Sequence, residues 1–250
     1  MASELRVFTV PGIPEVDLGV DLGALIGDAV VNAGLRIESG DVFVIAQKVV
    51  SKTEGAVVAL KDVAPSPLAS QWAAAHGRDA ATTEVVLRES RRIVRMQRGI
   101  IISETQHGFV CANAGVDGSN VQPGYVTVLP RDPDVSAARL QSALSTRFGV
   151  PIATIVSDTF GRPWREGVVN VALGVAGLLP LLDYRGQRDT FGRALQTTVI
   201  AVADELAGAA ELVMGKTKRA PVAIVRGAAE WAGQGSGAML LRHPSTDLFR

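Results

Sequence analysis

Apolar stretches rich in β-branched residues punctuate the chain near Leu5–Val10, Asp41–Ala46, Ile100–Ile102, Phe109–Ala112, Tyr125–Leu129, Ile152–Ser157 and Val222–Arg226, and each predicts a strand. Four other segments, Asp21–Asn32, Thr82–Met96, Ser136–Phe148 and Thr197–Met214, place apolar residues at three- and four-residue intervals and predict helices, with Asp21 and Ser136 as caps. Several strands follow one another directly instead of alternating with helices. This predicts an α+β fold rather than a doubly wound parallel sheet. We expect two intertwined mixed α/β subdomains with mostly antiparallel sheets, and connectors at Ala64–Pro67 and Pro130–Pro133. No repeat, charge block or low-complexity linker marks a border between them.

A chain of 250 residues that is 47% hydrophobic can fill a sizeable core. Lys plus Arg and Asp plus Glu both number 25, so no net field draws the chain to nucleic acid or to an anionic membrane. Anions must therefore be captured locally. The opening MASELRVFTV lacks a signal-peptide pattern, and no apolar run approaches a membrane span. The single cysteine, Cys111, excludes an internal disulfide framework or a CxxC site. A cytoplasmic protein is expected.

The residues best suited to chemistry lie where apolar strands run into polar clusters, because strand ends present side chains at a cleft. One such segment is Phe109–Gly124, with Asn113, Asp117, Ser119 and Asn120 set around Gly115 and Gly118. Hard oxygen donors on a glycine-bearing loop suit a divalent cation shared with a polyphosphate, while an Asx-rich turn that satisfies only its own backbone is the competing reading. The other is Ile155–Gly167, where Asp158 and Thr159 offer metal-binding oxygens and Arg162 and Arg165 offer guanidiniums for carboxylate or phosphate. A strand-to-turn junction with surface ion pairs is its plainer alternative, and Trp164 is more often a packing residue.

Further along, Ala210–Thr217 approaches a Walker A pattern but closes a helix instead of opening one, so Gly215 reads as a helix C-cap. Lys216, Thr217, Lys218 and Arg219 remain a basic loop within reach of phosphate. Lys48 and Lys52 follow a strand and can face an anion or solvent. One of Asp204 and Glu205 can reach the site or edge a packed face. Gly233–Gly237 reads as a flexible loop. His107 and Cys111 nominally make a base and nucleophile, although a lone cysteine is usually a buried packing residue.

In that order the segments PGIP, KVVSKTEG, HGFVCANAGVDGSN, SDTFGRPWREG, VADELAGAAELVMGK and PVAIVRG resemble the motifs of the coenzyme F420:L-glutamate ligases, across nearly the whole chain. The resemblance implies one ligase-like domain over residues 1–250 and a homodimer. It also implies GTP as co-substrate, Mg²⁺ or Mn²⁺, and a K⁺ requirement found in some members. The reaction implied joins L-glutamate to the lactyl carboxylate of the deazaflavin precursor through an acyl phosphate, after which a γ-linked glutamate is added. By their match to the motifs, Asp117, Asp158 and Thr159 would ligate metal. Gln47, Lys48, Lys52, Asn120 and the Ile13-Pro14-Glu15 turn would bind GTP, over which the Met214-Gly215-Lys216-Thr217 loop would close.

One departure stands out. Some members carry an acidic metal ligand just after the helix-ending Met-Gly, where this chain has Lys216, and lysine cannot replace that ligand. Other readings are an amide ligase for another carboxylate, a GTP-binding protein without turnover, and a hydrolase built on Cys111. Some actinobacterial relatives fuse this domain to a nitroreductase-like one that is absent from these 250 residues.

Overall fold

The computed structural model describes residues 4–248. Along the chain run β1 (Arg6–Thr9), α1 (Leu22–Asn32), β2 (Val42–Ala46), α2 (Gln47–Thr53), β3 (Val57–Ala59), α3 (Pro67–His76), α4 (Ala80–Glu89), β4 (Ser90–Gln97) and β5 (Ile100–Thr105). They are followed by β6 (Val110–Ala112), β7 (Tyr125–Thr127), α5 (Pro133–Phe148), β8 (Ala153–Gly161), β9 (Val168–Ala176), β10 (Leu182–Asp183), β11 (Val199–Ile200), α6 (Val202–Met214) and β12 (Val222–Arg226).

The frame is a five-stranded sheet in the order β1-β12-β2-β8-β9, antiparallel at every pairing except β2 with β8. Strand β2, VFVIA, is apolar throughout because both its faces are covered. Phe43 and Ile45 pack with Ile26, Val30, Leu140 and Leu144 of α1 and α5, while Val42 and Val44 face Leu206, Ala207 and Ala210 of α6. Phe43 is fully buried, and burial of a side chain of that size contributes about 1.5–3 kcal/mol.

After β2 and α2 the chain leaves this sheet. Residues 57–127 build the β3-β7 pair, the β4-β5-β6 sheet and the α3-α4 pair, with small cores around Val85 and Val86, before the chain returns at α5. The two regions are thus interleaved along the sequence, in an α+β arrangement of mostly antiparallel sheets. Residues 1–3 and 249–250 of the one-domain range lie outside the described residues.

Several elements differ from the pattern-based reading. The helix expected over Thr82–Met96 stops at Glu89, where Ser90 turns extended (φ −91°, ψ 120°) and its hydroxyl donates to the Val86 carbonyl at 2.6 Å. Beyond it Ser90–Gln97 pairs with β5 across a turn in which Arg98 and Gly99 both have positive φ, the geometry of a tight hairpin. Apolar spacing there suits either period, and cross-strand pairing decides. Helix α5 starts at Pro133, capped by the Asp132 carboxylate on Val135 N–H at 3.0 Å, and Ser136 sits inside the first turn, donating to Glu54 at 2.7 Å. Helix α6 begins at Val202 because Val199–Ile200 pairs with β10. Asp21 caps α1 as expected, accepting from Ala24 N–H at 2.9 Å.

Candidate active site

Strands β2 and β8 run parallel with Ala46 opposite Ser157, so the residues that follow emerge side by side at one end of the sheet. From β2 comes α2, which presents Gln47, Lys48, Ser51 and Lys52. From β8 come Asp158 and Thr159. Spacing on α2 sorts its side chains into two faces. Gln47 and Ser51, four apart and buried, both donate to the Val128 carbonyl, at 3.0 and 2.6 Å. Lys48 and Lys52, also four apart, reach the other way to the loop that precedes β7.

That loop is built to present Asp117. Asn113, Ala114 and Gly115 all have positive φ, and a Cβ at Gly115 would lie 2.7 Å from Leu129, so the reversal needs glycine there. Asp117 is then fixed by backbone bonds with Thr127, N–H to carbonyl at 3.0 Å and the return at 2.9 Å. Its carboxylate accepts from Ser119 N–H at 2.7 Å, Ser119 Oγ at 2.9 Å and Lys48 Nζ at 2.8 Å. Lys48 also donates to the Ser119 carbonyl at 2.5 Å. Lys52 donates to the Asn120 carbonyl at 2.7 Å and pairs with Glu15.

Across the cluster, Lys216 Nζ donates to Thr159 Oγ1, which itself donates to Asn170 Oδ1 at 2.7 Å. Asn170 Nδ2 donates to Glu211 Oε2 at 3.2 Å.

The electrostatics tie these groups into one site. Burial is the largest influence on Asp158 and pushes its pKa up, and the negative charge of Asp117 adds to this, against the opposing pull of Thr159 N–H, Lys216 and Lys48. Burial also acts upward on Asp117, but the bonds from Lys48 and Ser119 together outweigh it and hold its carboxyl below the usual range. Cys111 is pushed up to about 12, first by burial and then by the charge of Asp158. It stays a neutral thiol, and His107 Nε2 is bonded 2.8 Å away to the Pro130 carbonyl. That is poor ground for a nucleophile and base.

The donor set fits a hard divalent cation. Asp117, Asp158 and Thr159 offer oxygens only, and the ammonium groups of Lys48 and Lys216 sit on two of the three as stand-in cations. Among the described residues no group of three or more His, Cys, Asp or Glu side chains could hold a metal by itself. Two carboxylates with substrate phosphates completing the shell is the usual arrangement for Mg²⁺.

A family model described as F420-0:Gamma-glutamyl ligase matches residues 12–227. The chain belongs to that family. It is similar to the coenzyme F420:L-glutamate ligase of Methanothermobacter thermautotrophicus, with 48% identity covering 98% of this chain and 99% of the relative. It is also similar to the proteins of the same name from Methanopyrus kandleri, 46% identical over 98% of both chains, and Methanocaldococcus jannaschii, 42% identical over 93% of this chain and 96% of the relative. As a member of this family the chain is a ligase that forms carbon–nitrogen bonds.

Not every residue singled out in the ligase sequence joins the cluster through its side chain. Ile13 and Met214 are buried in the two cores that flank the sheet, and Gly215 closes α6 at φ +58°. Pro14 and Thr217 are exposed. Arg162 and Arg165 lie on the β8–β9 hairpin tip, where Arg162 bonds the carbonyls of its own turn, Glu166 and Gly167, and Arg165 is exposed. Asp204 takes Ala172 N–H at 2.8 Å and supports β9 at the point where its pairing with β8 shifts register. Glu211 and Asn170 escaped the sequence reading. The available signal was an asparagine in the middle of the apolar run VVNVALGVA.

Proposed function

We propose that this ligase adds L-glutamate to the lactyl carboxylate of the deazaflavin coenzyme F420 precursor, and then a γ-linked glutamate, using GTP and Mg²⁺ or Mn²⁺. The observation that carries the reading is the convergence of Asp117 and Asp158 with three lysines, 48, 52 and 216, at the shared end of β2 and β8. The names of the relatives support the substrate. A carboxylate forms no amide until one of its oxygens can leave, and phosphoryl transfer from GTP supplies that leaving group as an acyl phosphate. Attack by the glutamate amine then releases phosphate.

The chain's own part is positioning and charge neutralisation. A divalent cation held by Asp117, Asp158 and Thr159 would supply Lewis-acid neutralisation of the phosphoryl oxygens. Lys48 and Lys52, already aimed at the Asp117–Asn120 loop, exchange carboxylate and carbonyl partners for phosphate oxygens. The turn from Ile13 to Glu15, Gln47 and Asn120 border the nucleotide, and the Met214–Thr217 segment closes over it. Arg162 and Arg165, on the β8–β9 hairpin tip, offer guanidiniums for a substrate carboxylate or phosphate. K⁺ adds to the cation requirement as in some members of the family. We place the enzyme in the cytoplasm as a homodimer acting on small molecules, with neither nucleic acid nor membrane as partner, and among the described residues no helix is long and apolar enough to cross a membrane.

The test is mass spectrometry of the deazaflavin after incubation with GTP, Mn²⁺ and L-glutamate. Gain of one or more glutamyl residues with matching GDP release is the expected result. GTP turnover without that gain points to another acceptor, and no turnover under any acceptor leaves a binding protein.

A further inference from the structure

Thr159 has one hydroxyl proton, and its direction decides whether the oxygen attracts or repels a cation. In this structure the proton points to Asn170 Oδ1 at 2.7 Å, so the lone pairs face the other way, where Lys216 Nζ sits. What keeps Asn170 from turning its amide over is Glu211. Asn170 is buried, and its Nδ2 donates to the Glu211 carboxylate at 3.2 Å. An ionised carboxylate only accepts, so it fixes the amide with nitrogen toward α6 and oxygen toward Thr159. The flipped amide would face Glu211 with its oxygen and donate to Thr159, driving the hydroxyl proton into the site.

We infer that Glu211 and Asn170 are positioning residues: acting through one buried amide, they hold the Thr159 hydroxyl with its lone pairs toward the cation side of the active site. This rests on the proposed reading of Thr159 as a cation ligand. The relay joins α6 to β8 across β9 and explains a polar side chain in the middle of an otherwise apolar strand. Outer partners of this kind set the orientation of the inner ligand without touching the cation.

The test uses Mn²⁺ as the probe, with free Mn²⁺ followed by electron paramagnetic resonance and thermal melting recorded alongside. Glu211→Gln keeps size and shape but gives the amide a partner that can both donate and accept, so the flip becomes permitted. Removing an outer partner commonly weakens metal binding by about 10- to 100-fold, and Glu211→Gln is expected at the low end with its melting temperature close to wild type. Thr159→Val should weaken Mn²⁺ on its own, and adding Glu211→Gln to it should cost nothing further, because the hydroxyl that the relay orients is gone. Wild-type Mn²⁺ affinity in Glu211→Gln, with Thr159→Val weakened, overturns the relay alone. Wild-type affinity in Thr159→Val overturns the reading of Thr159 as a ligand, and the relay falls with it. Additive losses in the double variant show a general disturbance of the fold and also overturn the proposal.

Discussion

Lys48 Nζ lies 2.8 Å from Asp117 Oδ2, joining the helix that follows β2 to a loop 69 residues further along the chain. The pair is half-screened by solvent, and a surface ion pair of this kind adds only about 0–1 kcal/mol to stability. Its value is positional. On the proposed reading, it holds an ammonium and a carboxylate at the spot where a polyphosphate and a cation would meet.

Removing either carboxylate charge should separate chemistry from folding. Asp117→Asn and Asp158→Asn keep size and shape, and each should lower glutamate-dependent GDP release by roughly 100-fold or more, the scale for losing one preorganised electrostatic element. The melting temperature should shift by only a few degrees, because Asp117 loses one half-exposed ion pair and Asp158, whose charge is disfavoured by burial, loses none among the described residues. Wild-type turnover in either variant would remove that carboxylate from the metal site.

Lys216 should act as a built-in cation. Its ammonium contacts Thr159 and its charge reaches Asp158, yet it can neither share oxygen ligands nor fix octahedral geometry. One firmly held divalent ion is therefore expected. Lys216→Glu should raise Mn²⁺ stoichiometry or affinity, and Lys216→Ala should weaken nucleotide binding without adding a second ion. Calorimetric titration decides, and two ions bound to wild type at ordinary Mn²⁺ concentrations would refute it.

Competition between GTP and ATP at equal Mn²⁺ should favour GTP. This expectation comes from the family resemblance, because no residue of the cluster described here reads the guanine base. Tighter binding of ATP would reverse it.

Cys111 should be inert in the folded protein. With its thiol pushed up to about 12 by burial and then by Asp158, alkylation at pH 8 should proceed only on unfolding and leave activity intact. The sign of the pH dependence follows. The unfolded thiol ionises near its ordinary value of 9.0 while the folded one keeps its proton, so the unfolded state binds fewer protons and stability falls as pH rises through that interval. The Cys111 contribution is fully present below the unfolded value and lost toward the folded one, at up to about 1.4 kcal/mol per pH unit. Denaturant melts of wild type against Cys111→Ala across pH 8–11 read it as a difference, and parallel pH profiles would contradict it.

Patterning alone carried the strands that form the sheet's centre, because β2 and β8 are buried on both faces and leave continuous apolar runs. It also carried the Asp21 cap and the polar clusters after Phe109 and Ile155, since oxygen donors beside glycine need no tertiary context to be noticed. The family followed from the order of the motifs. What the sequence left open was decided by pairing. Residues 90–97 suit a helix or a strand by spacing, and only β5 lying alongside makes them a strand. The parallel match of β2 with β8, bringing Lys48 beside Asp158, depends on which of several apolar strands become neighbours, and no local propensity encodes that. Nor could the chain alone reveal the relay through Asn170. Its meaning lies in an amide held between Thr159 and Glu211, residues drawn from β8 and α6 that meet only when the helix packs across the sheet.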